Sequence, residues 1–126
     1  AVSGAGAAAI CAWRICCCMA CCCCCMACCC MTCGCCLEAC PQFQKDNDFI
    51  GPQAIAQAYY FNLHETGKEF KPDRLDALMG PGGITDCGNA QNCVKACPKE
   101  IPLTESIARI GRAATFHGLK RFFSGK

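Results

Sequence analysis

Two stretches of this chain close on Cys-Pro with further cysteines at short, regular intervals before it, and few folds are compatible with that pattern. The first reads CMTCGCCLEACP from Cys30 to Pro41. Through Cys30, Cys33, Cys36 and Cys40 its spacing is C-x2-C-x2-C-x3-C-P. Three thiolates at this spacing wrap a loop around one face of an iron–sulfur cube. The fourth, one helical turn later, points away and serves another cluster. Proline after the last cysteine stops the local helix and removes an amide donor. A zinc site takes four ligands near a tetrahedron, usually as two C-x2-C pairs, so the three-plus-one spacing is atypical of zinc.

The second stretch reads CGNAQNCVKACP from Cys87 to Pro98. Cys87, Ala90, Cys93 and Cys97 take the four corresponding slots, with alanine where the second cysteine would stand. Under the exchange rule one cluster takes Cys30, Cys33, Cys36 and the returning Cys97, and the other takes Cys87, Cys93 and Cys40. Three thiolates and an alanine suit a 3Fe–4S cluster, because no side chain is supplied for a fourth iron. The alternative left open by spacing is a 4Fe–4S cluster with one non-cysteine ligand, Asp86 or water. Cys35 lies between two ligands and is expected to be a buried thiol that does not ligate.

Distribution supports ligand sets over disulfides. Of 19 cysteines, sixteen lie between Cys11 and Cys40, three between Cys87 and Cys97, and none elsewhere. A disulfide-stapled domain would spread its bridges over the chain, and the odd count argues the same way. The hydrophobic share of 53% includes those cysteines, so the conventional apolar core is modest. Metal–thiolate bonds are expected to make up folding energy. The formal charge of +2, from 12 basic and 10 acidic residues, excludes a strongly polyanion-binding protein, and no nucleic-acid partner is expected.

Residues 1–29 form a low-complexity segment of Ala, Gly, Cys and Met whose one charge is Arg14. It reads as atypical or corrupted sequence, with a membrane-proximal helix and a metal-rich thiol tail as alternatives. The 17 uncharged residues from Ile15 to Met31 fall just short of a membrane span. No function attaches to this segment, nor to its Trp13. Residues 30–126 form the second unit.

That unit reads as helical. Pro52 opens a helix over Gln53 to His64, with Ile55, Ala58, Tyr59 and Leu63 at helical spacing. Pro72 opens a short helix from Asp73 to Met79, stopped by Gly80-Pro81-Gly82-Gly83. That glycine run lacks the Lys-Ser/Thr step of a phosphate loop and is expected to be a turn. A short helix is expected over Asn89 to Ala96. A last helix starts at Pro102 or Thr104, with Ile107, Ile110, Ala114 and Phe122 on one side. No stretch alternates with period two. The expected fold class is all-α, with four or five short helices.

No nucleophile–base pair is visible. His64 and His117 are isolated, and surface or packing roles are expected for both. Residues 98–126 carry net +4. Lys99, Arg109, Arg112, Lys120 and Arg121 read as a solvated face, or as a contact for a partner subunit or anionic headgroups.

From Cys30 to about Phe123 the chain closely resembles the C-terminal, α-helical ferredoxin domain of the iron–sulfur subunit of succinate dehydrogenase/fumarate reductase, most of all the Bacillus-like, menaquinone-using type. The resemblance is carried by CMTCGCCLEACP (30–41), FIGPQAIAQ (49–57), FNLHETG (61–67), RLDALMGPGGITDCGNAQNCVKACPKEIPLTESIA (74–108) and LKRFF (119–123). Subunits of other two-cluster oxidoreductases usually carry two complete cysteine sets, so the gap at Ala90 selects this family among them. The alternatives are the iron–sulfur subunit of another two-cluster oxidoreductase and, from a different class, a non-redox metal–thiolate protein.

The resemblance implies a 4Fe–4S cluster on Cys30, Cys33, Cys36 and Cys97, and a 3Fe–4S cluster on Cys40, Cys87 and Cys93 next to quinone. It implies a flavoprotein subunit and a membrane anchor subunit as partners, on the cytoplasmic face of the bacterial inner membrane. Pro41 matches the family's quinone-proximal position. Phe43, Lys45 and Gly88 stand near where many members have Trp and His, so the quinone-site carry-over stops at Pro41. Family subunits also have an N-terminal plant-type domain with a 2Fe–2S cluster. That domain, with its C-x4-C-x2-C pattern set in a fold of its own, has no room here, so that cluster is expected only on a missing domain. The chain then reads as a fragment, a remodelled chain or a faulty sequence, inactive alone.

Overall fold

A computed structural model describes residues 29–125. The three readings of the Cys-rich segment 1–29 lie outside the described residues, apart from Cys29, which is exposed. The described residues form five α-helices in order: α1 (Cys35–Glu38), α2 (Pro52–Leu63), α3 (Lys71–Met79), α4 (Asn92–Ala96) and α5 (Leu103–Phe123). Two 3₁₀ turns, Gly67–Phe70 and Ile84–Asp86, precede α3 and the second cysteine set. No strand occurs among the described residues, which agrees with the all-α expectation and with an α-helical ferredoxin.

Each helix starts where local chemistry allows. Pro52 occupies the first turn of α2, where its missing N–H leaves no bond unmade. Before it, Gly51 has φ 89°, and a methyl there would collide with Leu37 of α1. α3 begins two residues earlier than its proline suggested, because the 3₁₀ turn runs straight into it. Asp73 sits in its first turn, where a negative charge suits the helix dipole. The Gly80–Gly83 run is a turn, as expected. α5 begins after Pro102 and is 21 residues long, so the last helix is not short.

Two apolar clusters hold the bundle. α5 packs along α2 and α3, burying Phe49, Ile55, Tyr59, Leu75, Leu78, Ile110 and Ala114 together. The second cluster joins Cys36, Ala56, Cys93, Ile101 and Leu103 where α1, α2, α4 and the start of α5 converge. Phe122 does not join the core: it is 80% exposed, because α5 runs on past the end of the elements it packs against. Arg74 ties α3 to its neighbours, donating to Asn62 Oδ1 at 2.8 Å and to the Gly67 carbonyl at 2.7 Å. No helix among the described residues is long and apolar enough to cross a membrane.

Candidate metal centres

The two cysteine sets fold into the same local shape. Thr32 and Gly34, within the first set, have φ of 55° and 81°. Their counterparts in the second, Asn89 and Gln91, have φ of 53° and 61°. Each set then enters a short helix, α1 after Gly34 and α4 after Gln91. This places Ala90 in the backbone position that Cys33 holds in the first set. It also corrects the expected helix over Asn89 to Ala96. The left-handed residues Asn89 and Gln91 cannot continue a right-handed helix, so α4 starts at Asn92.

The repeat builds two cavities. The first is bordered by Cys30, Cys33, Cys36 and Cys97, together with Met31, Gln53, Ile101 and Leu103. The second is bordered by Cys40, Cys87 and Cys93, together with Pro41, Phe49, Ala90 and Thr104. Each cavity therefore takes one cysteine from the other set, Cys97 in the first case and Cys40 in the second. Their open space, counted out to solvent, is about 320 and 400 Å³. Among the described residues no three His, Cys, Asp or Glu side chains converge tightly enough for a single metal ion. A tetrahedral zinc with bonds near 2.3 Å would draw its sulfurs to about 3.8 Å of one another. Soft thiolate sets that do not converge on one point fit an iron–sulfur cluster better than zinc.

The thiols influence one another within each set. Cys36 is buried, and burial pushes its thiol pKa up, with nearby Cys30 adding to the effect. Burial does the same to Cys93, with Cys40 and Cys87 adding like-charge repulsion. The exposed Cys33 is held below its ordinary value by a hydrogen bond from the Cys35 backbone and a second from its side chain. Cys35 is raised in turn, first by that same side-chain bond. Contrary to expectation Cys35 is not buried. It is the first residue of α1 and faces outward beside Cys33.

Among the other expected candidates Asp86, His64, His117, Arg109 and Arg121 lie away from the cavities, and Lys99 borders the first. Asp86 Oδ2 accepts the Gly82 N–H at 2.9 Å and its Oδ1 faces the Thr85 hydroxyl, so this carboxylate caps the turn before Cys87. It borders neither cavity. His64 bonds Thr66 Oγ1 at 2.9 Å and His117 pairs with Asp76 Oδ1 at 3.0 Å, both structural contacts. Arg121 shares that Asp76 oxygen at 3.0 Å, and Arg109 pairs with Glu105 at 2.6 Å. Sequence reading missed Gln53 and Thr104, because nothing in a helix start signals which cavity its second residue will face.

Comparison with known proteins places both cysteine sets within one family match. A family model described as a 4Fe-4S dicluster domain matches residues 29–102. The succinate dehydrogenase iron-sulfur subunit of Bacillus subtilis (strain 168) is 52% identical over 87 residues, 69% of this chain and 34% of that protein. The fumarate reductase iron-sulfur subunit of Mycobacterium tuberculosis (strain CDC 1551 / Oshkosh) is 36% identical over 83 residues, 66% of this chain and 33% of that protein. That of Haemophilus influenzae is 36% identical over 69 residues, 55% of this chain and 27% of that protein. The chain thus spans about a third or less of the length of these curated relatives. The resemblance read from the cysteine motifs is borne out. Since the matched residues make up more than half of the chain and include both Cys-Pro sets, the chain belongs to the 4Fe-4S dicluster domain family.

Proposed function

We propose that residues 30–126 are the α-helical ferredoxin unit of a succinate dehydrogenase/fumarate reductase iron–sulfur subunit, distinct from the Cys-rich segment 1–29. In this reading Cys30, Cys33, Cys36 and Cys97 hold a 4Fe–4S cluster, and Cys40, Cys87 and Cys93 hold a 3Fe–4S cluster. The observation that supports it is the division of seven cysteines between two cavities, each with one thiol returned from the other set. Bound clusters of this kind supply one-electron transfer at potentials set by ligand number, burial and hydrogen bonds to sulfur.

The chain's own residues shape that function. Cys36 and Cys93 are buried in one apolar cluster with Ala56, Ile101 and Leu103, which keeps water from the region between the cavities. The Ala90 methyl withholds a fourth ligand from the second site. Left-handed turns at Thr32, Gly34, Asn89 and Gln91 alternate the backbone in the manner of nests, which favour negative charge. Pro41 borders the second cavity, the quinone-proximal side in this reading. Electrons then pass between a flavoprotein subunit and membrane quinone, with an anchor subunit holding the assembly at the cytoplasmic face of the inner membrane. Succinate or fumarate chemistry belongs to the flavoprotein, so the chain alone turns over neither.

Iron and sulfide analysis with low-temperature EPR tests this. An oxidised 3Fe–4S centre is paramagnetic, while zinc and an oxidised 4Fe–4S centre of the ferredoxin type are silent. Replacing Ala90→Cys is expected to convert the second centre to the four-iron type and remove the oxidised signal. An unchanged signal in that variant would show that the register is wrong.

A further inference from the structure

α2 and α5 meet the two cavities in mirrored fashion. The first residue of α2, Pro52, borders the second cavity, and the next, Gln53, borders the first. The first residue of α5, Leu103, borders the first cavity, and the next, Thr104, borders the second. Each cavity is therefore bordered by one polar residue at the second position of a long helix. That position lies in the first turn, where backbone N–H groups lack helical partners and the dipole is positive.

Both side chains are available as donors. A threonine inside a helix usually bonds the carbonyl four residues back, as Thr115 does to Gly111 at 3.0 Å. Thr104 has no helical carbonyl at that distance behind it. Neither Thr104 nor Gln53 hydrogen-bonds another side chain or carbonyl through its side chain among the described residues. Both are half-buried. The other polar side chains bordering the second cavity, Gln42, Asn89, Gln91 and Asn92, are all exposed, and Lys99 at the first is exposed as well. Water competes with exposed donors, so a half-buried donor contributes more.

We infer that Gln53 and Thr104 are positioning donors that set the reduction potentials of the two centres separately, Gln53 at the Cys30/Cys33/Cys36/Cys97 site and Thr104 at the Cys40/Cys87/Cys93 site. The inference rests on the iron–sulfur reading above. Reduction adds one electron with no bond made or broken, and a donor to sulfur stabilises the added negative charge. Each donor thus raises the potential of its own centre and leaves the other unchanged.

The test is an EPR-monitored redox titration of the iron–sulfur-loaded chain carrying Gln53→Met, Thr104→Val or Thr104→Ser. Gln53→Met is expected to lower only the first midpoint and Thr104→Val only the second. Each shift is expected to be about tenfold in the reduction equilibrium, or 59 mV for one electron. Thr104→Ser restores the second midpoint. Pulsed EPR adds a readout that packing alone would not move: an exchangeable-proton coupling at the second centre, present with Thr or Ser and missing with Val. The inference is overturned when neither midpoint moves, or when one variant moves both equally. If Thr104→Val does not retain the second centre, Thr104→Ala removes the donor with less bulk. Failure of Ala to retain it would assign Thr104 to assembly and overturn the inference. A chain that never shows a second centre, with Thr104 intact, sinks the iron–sulfur reading itself.

Discussion

Gly82 sits where the loop after Cys40 crosses the loop before Cys87. Its φ is 75°, its carbonyl accepts the Ile50 N–H at 2.9 Å, and its own N–H donates to Asp86 Oδ2. A methyl at this position would run into the Asp48 carbonyl. Gly34 is the natural control, with φ 81° and nothing within 4 Å of an added methyl. Gly34→Ala should therefore cost only the left-handed backbone penalty, about 1 kcal/mol. Gly82→Ala carries that penalty and forces the Asp48–Ile50 backbone to retreat, which breaks the Ile50–Gly82 bond at about 1.5 kcal/mol more. The totals are about 1 and about 2.5 kcal/mol. At 1.4 kcal/mol per tenfold, loss of the bound clusters should quicken roughly 5-fold in Gly34→Ala and roughly 60-fold in Gly82→Ala, provided these contacts are absent from the unfolding transition state. The assay is first-order bleaching of visible absorbance under excess chelator, with EPR to record which centre disappears first. Both crossing loops lead to ligands of the second cavity, so that centre should go first in Gly82→Ala. The reasoning fails if Gly82→Ala decays no faster than Gly34→Ala, or if the first centre is lost before the second.

Three further outcomes are expected. Ile110 has 0% exposure among α2, α3 and α5, so Ile110→Ala should cost about 2–5 kcal/mol and speed chelator-driven loss of both centres together. Asp76 accepts from His117 Nε2 and Arg121 Nη1, but the group is open to solvent, so Asp76→Asn should cost under about 1 kcal/mol and leave the chelation rate nearly unchanged. Stripping the iron should melt most of the helix signal in far-UV circular dichroism, because metal–thiolate bonds supplement a modest core. A cooperative, native-like melt of the stripped chain would count against this.

The parts of the fold that were legible in the sequence are those governed by local chemistry. Pro52 with its helical periodicity placed α2 almost to the residue, and the Gly80–Gly83 run stopped α3 where expected. The cavity partition was also legible, because a C-x3-C-P ending separates the fourth thiol from its neighbours by a helical turn. What was not legible depends on tertiary contact or on backbone that residue identity hides. Gln91 takes φ 61° without being glycine, so nothing announced that α4 would start late. Phe122 follows the helical period of Ile110 and Ala114, yet periodicity cannot tell where the opposing surface ends. Cys35 reads as buried by residue type but is turned out by the first turn of α1. The Ala90 gap is the instructive case, since spacing and backbone address it independently. Spacing aligns Ala90 with Cys33 by counting, and the paired left-handed residues on either side align it by conformation. Two independent addresses, one from counting and one from backbone conformation, therefore put Ala90 in the position that Cys33 holds in the first loop.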